Sequence, residues 1–354
     1  MLFENFRNGI NLGGWLSQYD VNESRPFTNE ERSEHFKNFI VEKNIRQIAE
    51  WGFDHVRLPV DGSVLLDIKT GKLSEEIKAS ITRCLAWCRQ YRLNIIIDLH
   101  DLEGNIYGEM DVPIPMLVNE EYRSRFFTIW EEITKWLKPC HEPEIMFELF
   151  NEISDATGYL WRKLYRDTVD RIRSIDTKRW ILVGSSHQNS VQFLPELDLL
   201  SDKLVFYNFH FYDPQVFTHQ KAHFSEEMRE FNQAVTYPGD ITAFKNYLKE
   251  HPKWYNKHSL TAEEVSNDYE LMCRLLEYAE KFLKYSGREL YCGEYGVIDS
   301  APPKEAAKWI KDFNKLADEY GFGRGLWNYK ALDFGLVDKD NNIVHEELIK
   351  LLFG

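Results

Sequence analysis

The chain has 354 residues, with 57 acidic against 43 basic side chains and a formal net charge of −14. Such an excess repels phosphate backbones and anionic headgroups, so neither nucleic acid nor a membrane surface is expected as a partner. Hydrophobic residues make up 43% and charged residues 28%, far from disordered or fibrous composition and enough for a large core.

In chain order, the start MLFENFRNGI lacks the basic-then-apolar pattern of a leader. As the sequence stands a cytoplasmic location is expected, or secretion if a leader has been removed. Short apolar runs then recur, each followed by a polar turn and a longer amphipathic stretch, the pattern of repeated βα units. They begin near Gly9 (GINLGG), His55 (HVRLPV), Asn94 (NIIIDLH), Ile145 (IMFELFN), Trp180 (WILVG), Leu204 (LVFYNFH), Glu289 (ELYCGEY) and Gly325 (GLWNYK). These predict an α/β fold, a (β/α)8 TIM barrel, with residues 1–354 forming one catalytic domain. Thr28-x-x-Glu31 and Thr261-x-x-Glu264 have capping-box spacing and predict helix starts. The interval at about 213–260 is too long for an ordinary connection and reads as a long loop over the active-site face. Its Phe217, Phe224, Trp254 and Tyr255 serve either to stack on a ligand or to form a small satellite core.

The five cysteines are odd in number and scattered, which suits a reducing compartment. Cys84 and Cys88 lie four apart on a predicted helix without a histidine beside them, so they read as buried packing rather than a zinc site. Asp98, His100 and Glu103 in DLHDLEG offer three metal ligands close together, but no second histidine completes the set, and no metal or other cofactor is expected.

Barrel interiors are filled by apolar layers, whereas strand ends open onto the catalytic face. Arg57, His100, Asn151, Glu152, His210, Tyr212, Glu294 and Trp327 all fall near predicted strand ends. Glu152, at the mouth of an apolar strand, is expected to hold its proton through desolvation and a nearby like charge. Glu294 is expected to ionise if Arg57 and the Tyr212 hydroxyl lie close. Two carboxylates in opposed environments divide the labour of retaining glycoside cleavage, Glu294 as nucleophile and Glu152 as acid/base. His100, His210 and Tyr212 read as a hydrogen-bonding shell, and Trp327 as core or as a flat platform for a sugar ring.

Taken in order, GINLGGWL, HVRLPV, IIDLH, FNE, HFY, GEYG and WNYK make the chain resemble glycoside hydrolase family 5, across nearly its whole length. The resemblance implies that Asn151 contacts the 2-hydroxyl of the reacting sugar. It also implies that His100 and His210 line that subsite and that Arg57 with Tyr212 orients the nucleophile. The expected substrate is a β-linked oligo- or polysaccharide, first β-1,4-glucan cut internally. The alternatives are exo attack on imported gluco-oligosaccharides, or the same mechanism on mannan, xyloglucan, mixed-linkage or β-1,3-glucan. Fungal exo-β-1,3-glucanases that share the GGWL opening follow it with a substrate-binding glutamate, which GGWLSQYD lacks.

Overall fold

The computed structural model describes residues 5–108, 112–142 and 144–353. Eight strands lie where the apolar runs placed them: β1 (Asn8–Asn11), β2 (His55–Asp61), β3 (Asn94–Asp101), β4 (Ile145–Glu148), β5 (Trp180–Gly184), β6 (Val205–Phe211), β7 (Leu290–Tyr295) and β8 (Gly323–Leu326). Each pairs in parallel with its sequence neighbours, and β1 closes on β8. The predicted barrel is therefore present.

Outside the interval after β6, the longer helices are α1 (Asn29–Asn38), α2 (Glu42–Glu50), α3 (Glu75–Tyr91), α4 (Glu120–Leu137), α5 (Tyr159–Ile175), α6 (Tyr269–Ser286), α7 (Pro303–Tyr320) and α8 (Glu346–Phe353). Their starts are written in local chemistry. Thr28 forms the predicted capping box with Glu31. Ser74, Asn119 and Asp268 accept from amides of the first turns of α3, α4 and α6. The second predicted box is not a cap: α6 begins at Tyr269 under Asp268, and Thr261 instead closes a turn through its carbonyl to the Glu264 amide. Between β5 and β6 the crossover is a short 3₁₀ turn, Val191–Glu196, with Pro195 inside it. No helix among the described residues is long and apolar enough to cross a membrane.

The interval after β6 is helical rather than a bare loop. It holds Gln215–Thr218, Glu226–Phe231, Thr242–Glu250 and Pro252–Lys257, plus the antiparallel pair Gly239–Asp240 with Ser266–Asn267. Phe217 and Trp254 are buried there, the satellite-core alternative, and the Tyr255 hydroxyl donates to Glu263. Only Phe224 of the four aromatics is largely exposed, at 53%.

Strand alternation sets the inside of the barrel. Its floor is a separate apolar cluster of Phe6, Ile96, Met146, Leu182, Phe206 and Tyr291. The residues two further along, Asp98, Glu148 and Asn208, are polar and fully buried, as are Asn11 and Arg57. The expectation of apolar layers throughout is thus corrected: the layer directly beneath the mouth carries polar side chains, with Gly184 and Gly293 between them. Outside the barrel, Trp161 of α5 is fully buried and donates its indole N–H to the Gly184 carbonyl (2.8 Å), tying the helix to the end of β5.

Replacing Trp161 by alanine is expected to cost about 3–5 kcal/mol, through a cavity plus a lost buried hydrogen bond. Urea denaturation followed by circular dichroism measures this, and an unchanged midpoint would contradict the packing described.

Candidate active site

Arg57 is mid-strand rather than at a strand end as expected, one layer below the mouth, and completely buried. Its Nη1 donates to Glu294 Oε1 (2.7 Å) and Asn11 Oδ1 (2.9 Å), and its Nε and one Nη2 hydrogen fork onto both oxygens of Glu148 (2.6 and 3.0 Å). Nη2 also reaches Asn151 Oδ1 and Asp98 Oδ2, both at 3.0 Å. A planar guanidinium with five donors is suited to such a hub.

Glu294 ends β7 past a register shift that re-aims the strand. Besides Arg57, its carboxylate receives the Tyr212 hydroxyl at Oε2 (3.0 Å). Burial holds the Tyr212 proton in place, well above the usual phenol range, so this group stays a donor. The two partners expected for Glu294 are therefore both in contact with it.

Glu152 follows β4 with a left-handed backbone (φ 44°), a conformation costly for a residue with a Cβ. Its Oε1 lies 2.9 Å from His210 Nδ1, and its side chain is 25% exposed to the cleft. Burial pushes its pKa up to about 7, while His100 and Arg57 pull the other way. The expected like-charge contribution does not carry the shift; desolvation does.

His210 bridges the two glutamates, its Nδ1 also 3.8 Å from Glu294 Oε2, and its Nε2 faces the Asn189 amide at 3.1 Å. His100 lies over Asp98, with Nδ1 to Oδ2 at 2.8 Å, and is stacked with Trp327 (5.8 Å between centroids, 4° between planes). Burial lowers both histidines to about 4, so both are neutral rings at ordinary pH. Trp327 is 8% exposed and rests on Gly13, where a Cβ would come within 2.7 Å of the indole. All eight predicted site residues are thus brought together at the barrel mouth or directly below it.

Four members of the assembly escaped the sequence reading as site residues: Asn11, Asp98, Glu148 and Asn208. Asn208 donates to Glu148 Oε1 (2.7 Å) and accepts from the Gly293 amide (2.8 Å), while Asn11 donates to the Gly293 carbonyl (3.0 Å). Their one signal is a polar residue within an apolar run and on the same alternation face as Arg57 or His210. The metal alternative at Asp98, His100 and Glu103 dissolves, because Asp98 contacts Arg57 and Glu103 pairs with Arg125. Glu152, His210 and Glu294 do offer ligand atoms within 4.8 Å of one another. Arg57 already occupies Glu294 there, and a second cation would meet its charge. The thiols of Cys84 and Cys88 are buried on α3, as expected of packing.

Comparison with known proteins places this geometry. The model of the family described as Cellulase (glycosyl hydrolase family 5) matches residues 20–333. Endoglucanase C of Acetivibrio thermocellus is 39% identical over 350 residues, covering 98% of each chain. Cellodextrinase A of Ruminococcus flavefaciens is 35% identical over 320 residues, covering 89% of this chain and 83% of its own. Among solved structures, endoglucanase Cel5A of Thermotoga maritima superposes with a TM-score of 0.73 at 21% identity, covering 98% of this chain and 97% of its own, a likeness of fold. With a family match across most of its length and close relatives over nearly all of it, the chain belongs to glycosyl hydrolase family 5.

Proposed function

We propose that this chain is an endo-acting β-1,4-glucanase working by double displacement with retention, Glu294 as nucleophile and Glu152 as acid/base. The observation that carries the reading is carboxylate spacing: one oxygen of Glu152 lies within 4.8 Å of one oxygen of Glu294. That is near the roughly 5–5.5 Å of retaining pairs and short of the roughly 6.5–9.5 Å that admits a water between carboxylates.

Glu294, held by Arg57 and the Tyr212 hydroxyl, attacks the anomeric carbon while Glu152 gives its proton to the departing oxygen. The glycosyl ester on Glu294 is then opened by water, whose proton goes to the Glu152 carboxylate, and a second inversion restores the configuration. His210 keeps Glu152 aimed during both steps. Asn151, turned into place by Arg57, is assigned to the 2-hydroxyl, and Trp327 with His100 forms a flat wall for the reacting ring. The 39% identical endoglucanase supports an internally cut β-glucan. A second reading, cleavage of short cello-oligosaccharides, is favoured by the cellodextrinase relative.

Digestion of carboxymethylated β-1,4-glucan beside cello-oligosaccharides separates the two. A rapid fall in polymer length is expected, and intact polymer with fast oligosaccharide turnover would transfer the assignment to the second reading.

Glu294→Ala is expected to abolish turnover, with azide restoring part of it as the inverted glycosyl azide; full activity without azide would remove Glu294 from its role. Glu152→Ala is expected to lower kcat/KM for poor leaving groups by about 10²–10⁴-fold and to spare 2,4-dinitrophenyl cellobioside, which needs no acid. Equal losses on both substrates would deny Glu152 the acid role. Because burial raises Glu152, its proton is present below pH about 7 and lost above it. The ratio kcat/KM is therefore expected to decline as pH rises through about 7, and a profile flat across neutral and alkaline pH would contradict this.

A further inference from the structure

The turn after β5 carries a side chain that the reaction as described does not use. His187, Gln188 and Asn189 all have left-handed backbones (φ 55°, 56° and 56°). Each costs roughly 1–2 kcal/mol for a residue with a Cβ, somewhat less for asparagine, so something must hold the turn. Contacts near and far in sequence hold it: the Gln188 amide donates to the Ile153 carbonyl (2.9 Å), and His187 stacks flat on Phe193. The Ser185 hydroxyl donates to the Ser190 carbonyl (2.9 Å), and Ser190 bridges to His210 of β6. The product of this arrangement is a single fully buried amide, Asn189, whose Nδ2 lies 3.1 Å from His210 Nε2.

Asn189 Oδ1 is buried without a hydrogen-bond partner among the described residues. It rests against the bare Cα of Gly184, where a Cβ would lie 2.3 Å from it. Turning the amide over would put an NH₂ group in that slot, leaving its donors unpaired instead of one carbonyl oxygen. Unpaired buried donors are the rarer and costlier state. The slot therefore selects the orientation in which Nδ2 donates to His210. A donor facing Nε2 requires a lone pair there, so the single proton of the neutral ring sits on Nδ1, facing Glu152 Oε1 at 2.9 Å. With Oε1 accepting from Nδ1–H, the carboxyl proton of Glu152 is left to Oε2.

We infer that Asn189 is a positioning residue: through the Asn189–His210–Glu152 chain it fixes the Nδ1–H tautomer of His210 and so fixes which oxygen of Glu152 carries the transferable proton. This rests on Glu152 being the acid. Glu294 of β7, Arg57 of β2, Glu148 of β4 and His100 of β3 also act electrostatically on His210. Among the described residues, Asn189 alone hydrogen-bonds its Nε2.

The test uses two variants that tolerate a left-handed backbone, so that neither removes the turn. Asn189→Gly deletes the amide, and Asn189→Asp replaces the donor by an acceptor of the same shape. In protein labelled with ¹⁵N-histidine, the His210 resonance, assigned by its loss in His210→Ala, is expected to report Nδ1–H in the native protein and a proton on Nε2 in Asn189→Asp. An Nε2–H tautomer in the native protein, or an unmoved proton in Asn189→Asp, overturns the inference. That readout does not depend on what Glu152 does. In kinetics, Asn189→Gly is expected to lower kcat/KM at least tenfold on cellotetraose and to leave 2,4-dinitrophenyl cellobioside within about twofold. Equal losses on both substrates would mean that Asn189 only supports the fold. Failure of the Glu152 assignment is detected separately, by Glu152→Ala losing activity equally on both substrates.

Discussion

One buried guanidinium organises this molecule. Arg57 joins Glu294, Glu148, Asp98, Asn11 and Asn151, and no water-facing atom of it remains. Burying a cation among carboxylates is a poor way to stabilise a fold, because desolvation offsets most of the attraction. It is a good way to fix geometry, since each donor of a planar fork has one direction and each acceptor must come to it. Three carboxylates face one positive charge, and burial responds by pushing Asp98 up to about 7 and Glu148 upward as well. The site thus limits its own charge while Arg57 and the Tyr212 hydroxyl keep hold of Glu294.

The difference between Glu152 and Glu294 follows from what each faces. Glu294 meets a guanidinium and a phenol that both donate to it. Glu152 meets a neutral imidazole, and burial leaves its proton in place to about pH 7. Both sit within 4.8 Å of a shared histidine, so distance does not separate their chemistry. The polar layer beneath them does, because it delivers its one cation to Glu294 directly and to Glu152 only from a distance.

Much of this was legible in the sequence. Apolar runs of strand length alternating with helical periodicity gave the starts of all eight strands to within about two residues, and the eight residues picked out near strand ends do come together, although Arg57 lies mid-strand. What was illegible depended on tertiary closure. Glu148 and Asn208 sit inside apolar runs, and only the closed barrel shows that their face is the one Arg57 occupies. Thr261 has the right spacing for a cap, yet Asp268, nearer the amphipathic stretch, holds the helix start. Asn189 in SSHQNS carries no such signal, because the backbone of its turn is held through Gln188 to Ile153 and through Ser190 to His210, both far off in sequence.

Much of the strained backbone among the described residues lies beside the candidate site. Left-handed non-glycine residues include Glu152 itself, the run 187–189 behind His210, and the run 331–333 after the β8 segment that carries Trp327. Each works against folding, and the apolar core outside the barrel, Trp161 and its neighbours among it, supplies the surplus that makes them tolerable. The division of labour is spatial: helices packed on the outside of the strands provide stability, and the strained turns at the mouth use it to hold side chains in positions that relaxed backbone would not reach. A polar layer that is itself neutral to stability can then be selected for geometry alone. That is why Arg57 and His210, which hold the two glutamates, lie on strands, with Arg57 held by its own polar layer and His210 by Asn189 on a strained turn.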